Sequence, residues 1–185
     1  IEGIITMTTT HEQTHTISIL VENHFGVLAR VSGLFSARGY NIDSLCVGET
    51  ENPEISRMTV TVRGNENVLS QIIKQLNKLV DVIEVQDLTK SAFVERELVM
   101  IKVKADRKVR AEVVEICNIF RARVVDVGTQ AMIVMITGAK GKIQAFIDMM
   151  RSFGIIELVR TGTIAIERCG SNGYNISNDD DENDN

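Results

Sequence analysis

Thr16-Ile17-Ser18-Ile19-Leu20-Val21-Glu22-Asn23-His24-Phe25-Gly26-Val27-Leu28 contains the first turn of the fold. Ile17, Ile19 and Val21 alternate with Thr16, Ser18 and Leu20, as in a strand with two unlike faces. From Val27 onward the apolar residues Val27, Leu28, Val31, Leu34 and Phe35 recur at helical spacing. Between the two lies a short polar loop with one glycine. A helix start presents unpaired N–H groups and a partial positive charge. Two readings of the loop follow from spacing alone. Either it receives a small anion such as a carboxylate, with Gly26 permitting close approach and Asn23 accepting from an ammonium. Or it is a strand-to-helix turn with an asparagine cap and a turn glycine. One glycine is too few for a dinucleotide fingerprint.

Outward from this turn, one order of elements appears twice. Arg38-Gly39 stops the helix, and Tyr40 to Val47 is a second strand. Ser56 to Val62 alternates Met58, Val60 and Val62 against Arg57, Thr59 and Thr61, a third strand. Gly64-Asn65 opens a helix bearing Val68, Leu69, Ile72, Ile73, Leu76 and Leu79, and Val82 to Asp87 is a fourth strand. That order, βαββαβ, recurs: strand 95–104, helix 107–122, strands 123–128 and 132–137, helix 140–153, and strand 156–160 running on to 163–167. The chain is therefore expected to be α+β, with tandem ferredoxin-like βαββαβ units at 16–89 and 90–168 joined through Leu88 to Phe93. The Thr-rich segment 1–15 and the Asp/Asn-rich tail 169–185 are expected to be disordered. The helix-free sheet face of the first unit carries Ser18, Thr59, Thr61, Glu84 and Gln86 and is expected to face water. The matching face of the second carries Leu98, Met100, Ile133 and Met135 beside Lys102 and Lys104, an apolar patch of the kind that marks an interface.

Composition narrows the function. The net charge of −5 belongs to the tail, where Asp179, Asp180, Asp181, Glu182 and Asp184 supply five of 25 acidic residues; the remainder balances its 20 basic residues. A neutral body gives no electrostatic case for nucleic acid or a membrane surface. No apolar run approaches the roughly 18 residues of a membrane helix, and no secretory signal pattern opens the sequence. Cys46, Cys117 and Cys169 are odd in number and far apart, which fits a reducing compartment and no metal motif. His24 has no specified nucleophile or orienting carboxylate. Gly138-Ala139-Lys140-Gly141-Lys142 is neither a P-loop nor a KH loop. The central strand 57–62 lacks the aromatics of an RNA-recognition sheet. No catalytic or metal-ligating set emerges, which argues against an enzyme.

Longer strings carry a resemblance. The first unit resembles an ACT domain, an amino-acid-sensing module. Glu22-Asn23, Gly26-Val27-Leu28-Ala29-Arg30-Val31, Gly33-Leu34-Phe35, Arg38-Gly39-Tyr40-Asn41-Ile42-Asp43-Ser44-Leu45 and Ser56-Arg57-Met58-Thr59 are similar to the small regulatory subunits of acetohydroxyacid (acetolactate) synthase. Lys78-Leu79-Val80-Asp81-Val82 and Val94-Glu95-Arg96-Glu97-Leu98 extend the match, which spans roughly residues 16–168. The resemblance implies an ACT domain at 16–89 and a second ACT-like domain at 90–168. It implies a non-catalytic chain that activates a separate catalytic subunit and confers feedback inhibition by valine or another branched-chain amino acid. Thiamine diphosphate, FAD and magnesium are then expected on the catalytic partner and no cofactor on this chain. The effector is expected between the ACT domains of a homodimer, on Asn23, Gly26, Val27 and Leu28 of one chain and Asn41 and Ile42 of the other. A cytoplasmic or plastid location suits that role. The alternative is a stand-alone tandem-ACT regulator of another partner.

Overall fold

A computed structural model of the chain describes residues 13–170. The first unit runs β1 (Gln13–Glu22), α1 (Val27–Ala37), β2 (Ile42–Glu49), β3 (Ile55–Gly64), α2 (Glu66–Leu76) and β4 (Val82–Asp87). Its four strands lie in the antiparallel order β2-β3-β1-β4. A single 3-10 turn at Leu88–Lys90 leads into the second unit. There β5 (Phe93–Lys104), α3 (Arg110–Phe120), β6 (Arg123–Val127), β7 (Ala131–Gly138), α4 (Lys140–Arg151) and β8 (Ile155–Arg160) repeat the plan, with strand order β6-β7-β5-β8. A ninth strand, β9 (Ile164–Glu167), pairs with the first residues of β5. The α+β class and the two βαββαβ-like units are as expected from the sequence.

Each sheet buries one face under its two helices. Ile17, Ile19, Val60, Phe35, Leu69 and Ile72 form the first core; Val99, Ile101, Val134, Phe146 and Ile147 form the second. Alternation decides which strand residues go inside, because successive side chains point to opposite faces.

Two local differences from the sequence reading have physical causes. β1 begins at Gln13, so the last residues of the segment expected to be disordered belong to the sheet. His15 pairs with Val62, is 2% exposed, and its Nε2 lies 3.0 Å from the Gly64 carbonyl oxygen. Residues 1–12 and 171–185 of the two segments expected to be disordered lie outside the described residues. Strand 156–167 is broken by a turn at Thr161 to Thr163, where Gly162 takes φ +83°.

The largest difference concerns the polar face of the first sheet, which faces water at Glu84 but is covered over its centre. Ser18, Thr59 and Thr61 are buried, at 2%, 4% and 7% exposure. The second unit reaches across: β9 contacts β1, Thr163 N donates to Ser44 Oγ at 3.1 Å, and Gln86 Nε2 donates to Glu167 Oε2 at 2.7 Å. Ser18 Oγ also accepts from the Arg57 guanidinium at 2.9 Å. The Ser18 and Ser44 hydroxyls thus meet polar partners where the face is covered. On the second sheet, the apolar patch is present but partial. Met100 and Val159 are exposed, while Leu98, Ile133 and Met135 are half-buried.

Candidate functional site

The β1–α1 loop lies beyond the end of β1. Gly26 adopts φ +89° in the left-handed region, and a Cβ there would meet nothing within 4 Å. The glycine is thus required by backbone conformation, and the space beside it is open. No side chain caps α1. The asparagine-cap reading fails because Asn23 turns the other way. Its Nδ2 donates to Pro53 O at 2.8 Å and Glu49 Oε1 at 3.2 Å, tying the loop to the β2–β3 turn. What Asn23 leaves to offer is its Oδ1, an acceptor suited to an ammonium. Val27 N makes only a long 3.4 Å contact to His24 O. Phe25 is fully exposed and Leu28 is 45% exposed, so apolar surface lies beside these N–H groups.

Asn41 and Ile42 open β2. Asn41 Nδ2 donates to Asp43 Oδ1 at 3.3 Å, and Asp43 pairs with Arg63 at 2.7 Å. Ile42 rests half-buried against the first core. Register separates the two halves of the expected site. Ile42 aligns with Val62 and so with His15, whereas the loop follows Glu22, which aligns with Ile55. Seven residue steps of strand separate those ends, about 23 Å at roughly 3.3 Å per residue. Asn23, Gly26, Val27 and Leu28 are together; Asn41 and Ile42 are at the other end of the same sheet.

Beside the loop sits a charged cluster that the sequence did not single out. Asp81, in the turn before β4, is 4% exposed. Its carboxylate takes Arg30 Nε at 2.9 Å and Arg30 Nη2 at 3.1 Å, and His24 Nε2 lies 3.0 Å away. His24 Nε2 is also 3.2 Å from Glu22 Oε2, and its Nδ1 is 3.2 Å from Phe25 O. Glu22, His24 and Asp81 each place one donor atom within 4.8 Å of the others, the spacing a metal ion would need. The Arg30 guanidinium already spans Asp81, and the arrangement is that of an ion-pair network. Ser32 Oγ donates to Leu28 O at 2.8 Å, so it is not aligned for attack with His24 as base. A hollow of about 550 Å³ adjoins, lined by Asn23, His24, Pro53, Glu54 and Ile83 among others.

A second cavity, of about 390 Å³, lies between the units, between Ser44 and Thr61 on one side and Thr161 and Thr163 on the other. At its wall Glu97, 5% exposed, accepts from Arg160 at 2.8 and 2.6 Å. That hydrogen bond pushes the Arg160 guanidinium further up, against the opposing effect of burial.

Residues 17–84 match the family profile described as an AHAS small subunit-like ACT domain, and residues 96–169 match that described as small subunit of acetolactate synthase. A protein of Archaeoglobus fulgidus, described as a probable acetolactate synthase small subunit, is 55% identical over 154 residues, covering 83% of this chain and 96% of its own. The chain belongs to the acetolactate synthase small-subunit family. Another member, acetolactate synthase small subunit 2, chloroplastic, of Arabidopsis thaliana, is 46% identical over 154 residues, 83% of this chain and 32% of that protein. The crystal structure of the acetolactate synthase small subunit from Thermotoga maritima superposes with a TM-score of 0.77 at 40% identity, covering 84% of this chain and 98% of that one. Within this family the N-terminal unit is an ACT domain, and the loop and cluster described above lie on it. Among the described residues, no helix is long and apolar enough to cross a membrane.

Proposed function

We propose that this chain is a non-catalytic regulatory subunit that binds a branched-chain amino acid between the ACT domains of a homodimer, activates a separate acetolactate synthase catalytic subunit, and passes feedback inhibition to it. The observation that carries the reading is the uncapped start of α1 at Gly26, open to solvent and flanked by exposed Leu28. N–H groups at Val27 and Leu28 suit a carboxylate, Asn23 Oδ1 an ammonium, and the apolar neighbours a branched side chain.

The register argues for two chains. β2 is an end strand of its sheet. Antiparallel pairing of two such strands about a two-fold axis at Leu45 would set the partner's Asn41 opposite Glu49, the residue that accepts from Asn23. Opposite residues then share a face, as a continuous sheet requires. Isologous pairing of this kind is the commonest way for identical chains to associate. Thiamine diphosphate, FAD and magnesium belong, in this reading, to the catalytic subunit, and the compartment is the cytoplasm or a plastid.

The test is titration calorimetry of the whole chain with L-valine, L-leucine and L-isoleucine, for wild type and Gly26→Asp. An added carboxylate at Gly26 occupies and repels the carboxylate position, so heat is expected from wild type alone. Equal heats from both proteins would overturn the site. Reconstitution with the catalytic subunit is the matching functional assay, in which activity should rise on mixing and fall with effector.

A further inference from the structure

We infer that Asp81 is the positioning residue of the effector loop; the inference rests on the site assignment above. His24 and Arg30 bracket in sequence the backbone N–H groups of residues 26–28. Asp81 grips both. Arg30 Nε is 2.9 Å from Asp81 Oδ2, and His24 Nε2 is 3.0 Å from Asp81 Oδ1. A third tie comes from the backbone, where Glu22 N donates to Asp81 O at 2.9 Å. One nearly buried residue, in the turn before β4, therefore fixes the loop and the first turn of α1 through its carboxylate and the end of β1 through its carbonyl. Charge-assisted bonds to a buried carboxylate hold geometry more strictly than exposed ones do.

His24 closes the clasp from the loop side. Its Nε2 lies 3.0 Å from Asp81 Oδ1 and 3.2 Å from Glu22 Oε2, and its Nδ1 lies 3.2 Å from Phe25 O. Arg30 closes it from α1, so the loop is held to Asp81 from both of its ends. Effector that needs the clasped loop then loses affinity when either tie is cut.

The experiment is calorimetric titration of the whole chain with L-valine, L-leucine and L-isoleucine. Asp81→Asn should weaken binding by about tenfold or more, with circular dichroism unchanged, and Asp81→Glu, which keeps the carboxylate, should recover part of that affinity; Arg30→Lys gives an intermediate loss if Asp81→Asn fails to fold. Unaltered binding in both Asp81→Asn and Arg30→Lys would overturn the positioning role. Loss of wild-type binding on adding EDTA would mean that Glu22, His24 and Asp81 hold a metal ion, which also overturns it. Gly26→Asp is the control that separates failures: if it binds like wild type, the effector site itself is misplaced.

Discussion

Glu97 shows how a single ion pair is placed to matter. Its side chain is 5% exposed, and Arg160, 41% exposed, answers it with two hydrogen bonds. Removing Arg160 leaves a carboxylate with little water and no counter-charge. Arg160→Ala should cost about 2 kcal/mol in urea unfolding, less than the roughly 3–5 of a fully buried pair because Arg160 is itself partly solvated. Adding Glu97→Gln to that variant should recover part of the loss. Cys117 is buried, and burial pushes its thiol above the ordinary value of 9.0. The folded chain then holds that proton more tightly than the unfolded one. Stability is undiminished below the ordinary thiol range and falls as pH rises through it; Cys117→Ala should flatten this fall in denaturation measured at about pH 9 to 10. At this scale the sequence was partly legible. Gly26 declared itself, since a lone glycine between a strand and a helix points to a special φ. Asp81 and Arg30 did not, because residues 51 apart meet only after α2 returns the chain to the end of β1.

Helices begin here in different ways, and the difference separates support from function. α2 is capped by Asn65, whose side chain accepts from Val68 N at 3.0 Å. Asn65→Ala should cost about 1 kcal/mol, read from thermal unfolding. α1 lacks such a cap, and this is the end at which the effector is proposed to bind. Element types followed from periodicity, but some boundaries did not. The helix expected from Arg107 begins at Arg110, since Asp106 Oδ1 accepts from Lys108 N at 2.8 Å and Val109 N at 3.3 Å and holds a turn first. Such side-chain bonds compete with the helix locally and leave no periodic trace. On the second sheet, Met100 lies opposite Met135, with exposed Val159 beside it. Met100→Asp with Met135→Asp should weaken association with the catalytic subunit by about tenfold or more if this face is the contact, as measured by activation against subunit concentration; unchanged activation would exclude the face.

Across the whole molecule, the two units are joined by more than a connecting turn. The Thr161–Thr163 turn sits on β2, where a Cβ on Gly162 would lie 3.3 Å from Ser44 Oγ and 3.4 Å from Leu45 O. Gly162 also has φ +83°. Gly162→Val should therefore loosen the docking by about 1–3 kcal/mol, seen as faster limited proteolysis between residues 160 and 164. This contact was hidden in the sequence because a hydroxyl-rich sheet face looks the same whether its partner is water or another polar segment. β2, whose first residues belong to the proposed effector site, is thus touched directly by the second unit, which would give binding there a mechanical route to the other unit.

The order of synthesis gives that covered face a further meaning. All four strands of the first sheet exist once residue 87 has been made, whereas the Thr161–Thr163 turn and β9, which meet β2 and β1, come only at 161–167. Through that interval the face is not yet met by these last segments of the second unit. An apolar face in the same position would invite neighbouring nascent chains to stick to it. A face of hydroxyls can wait in water until the rest of the chain arrives.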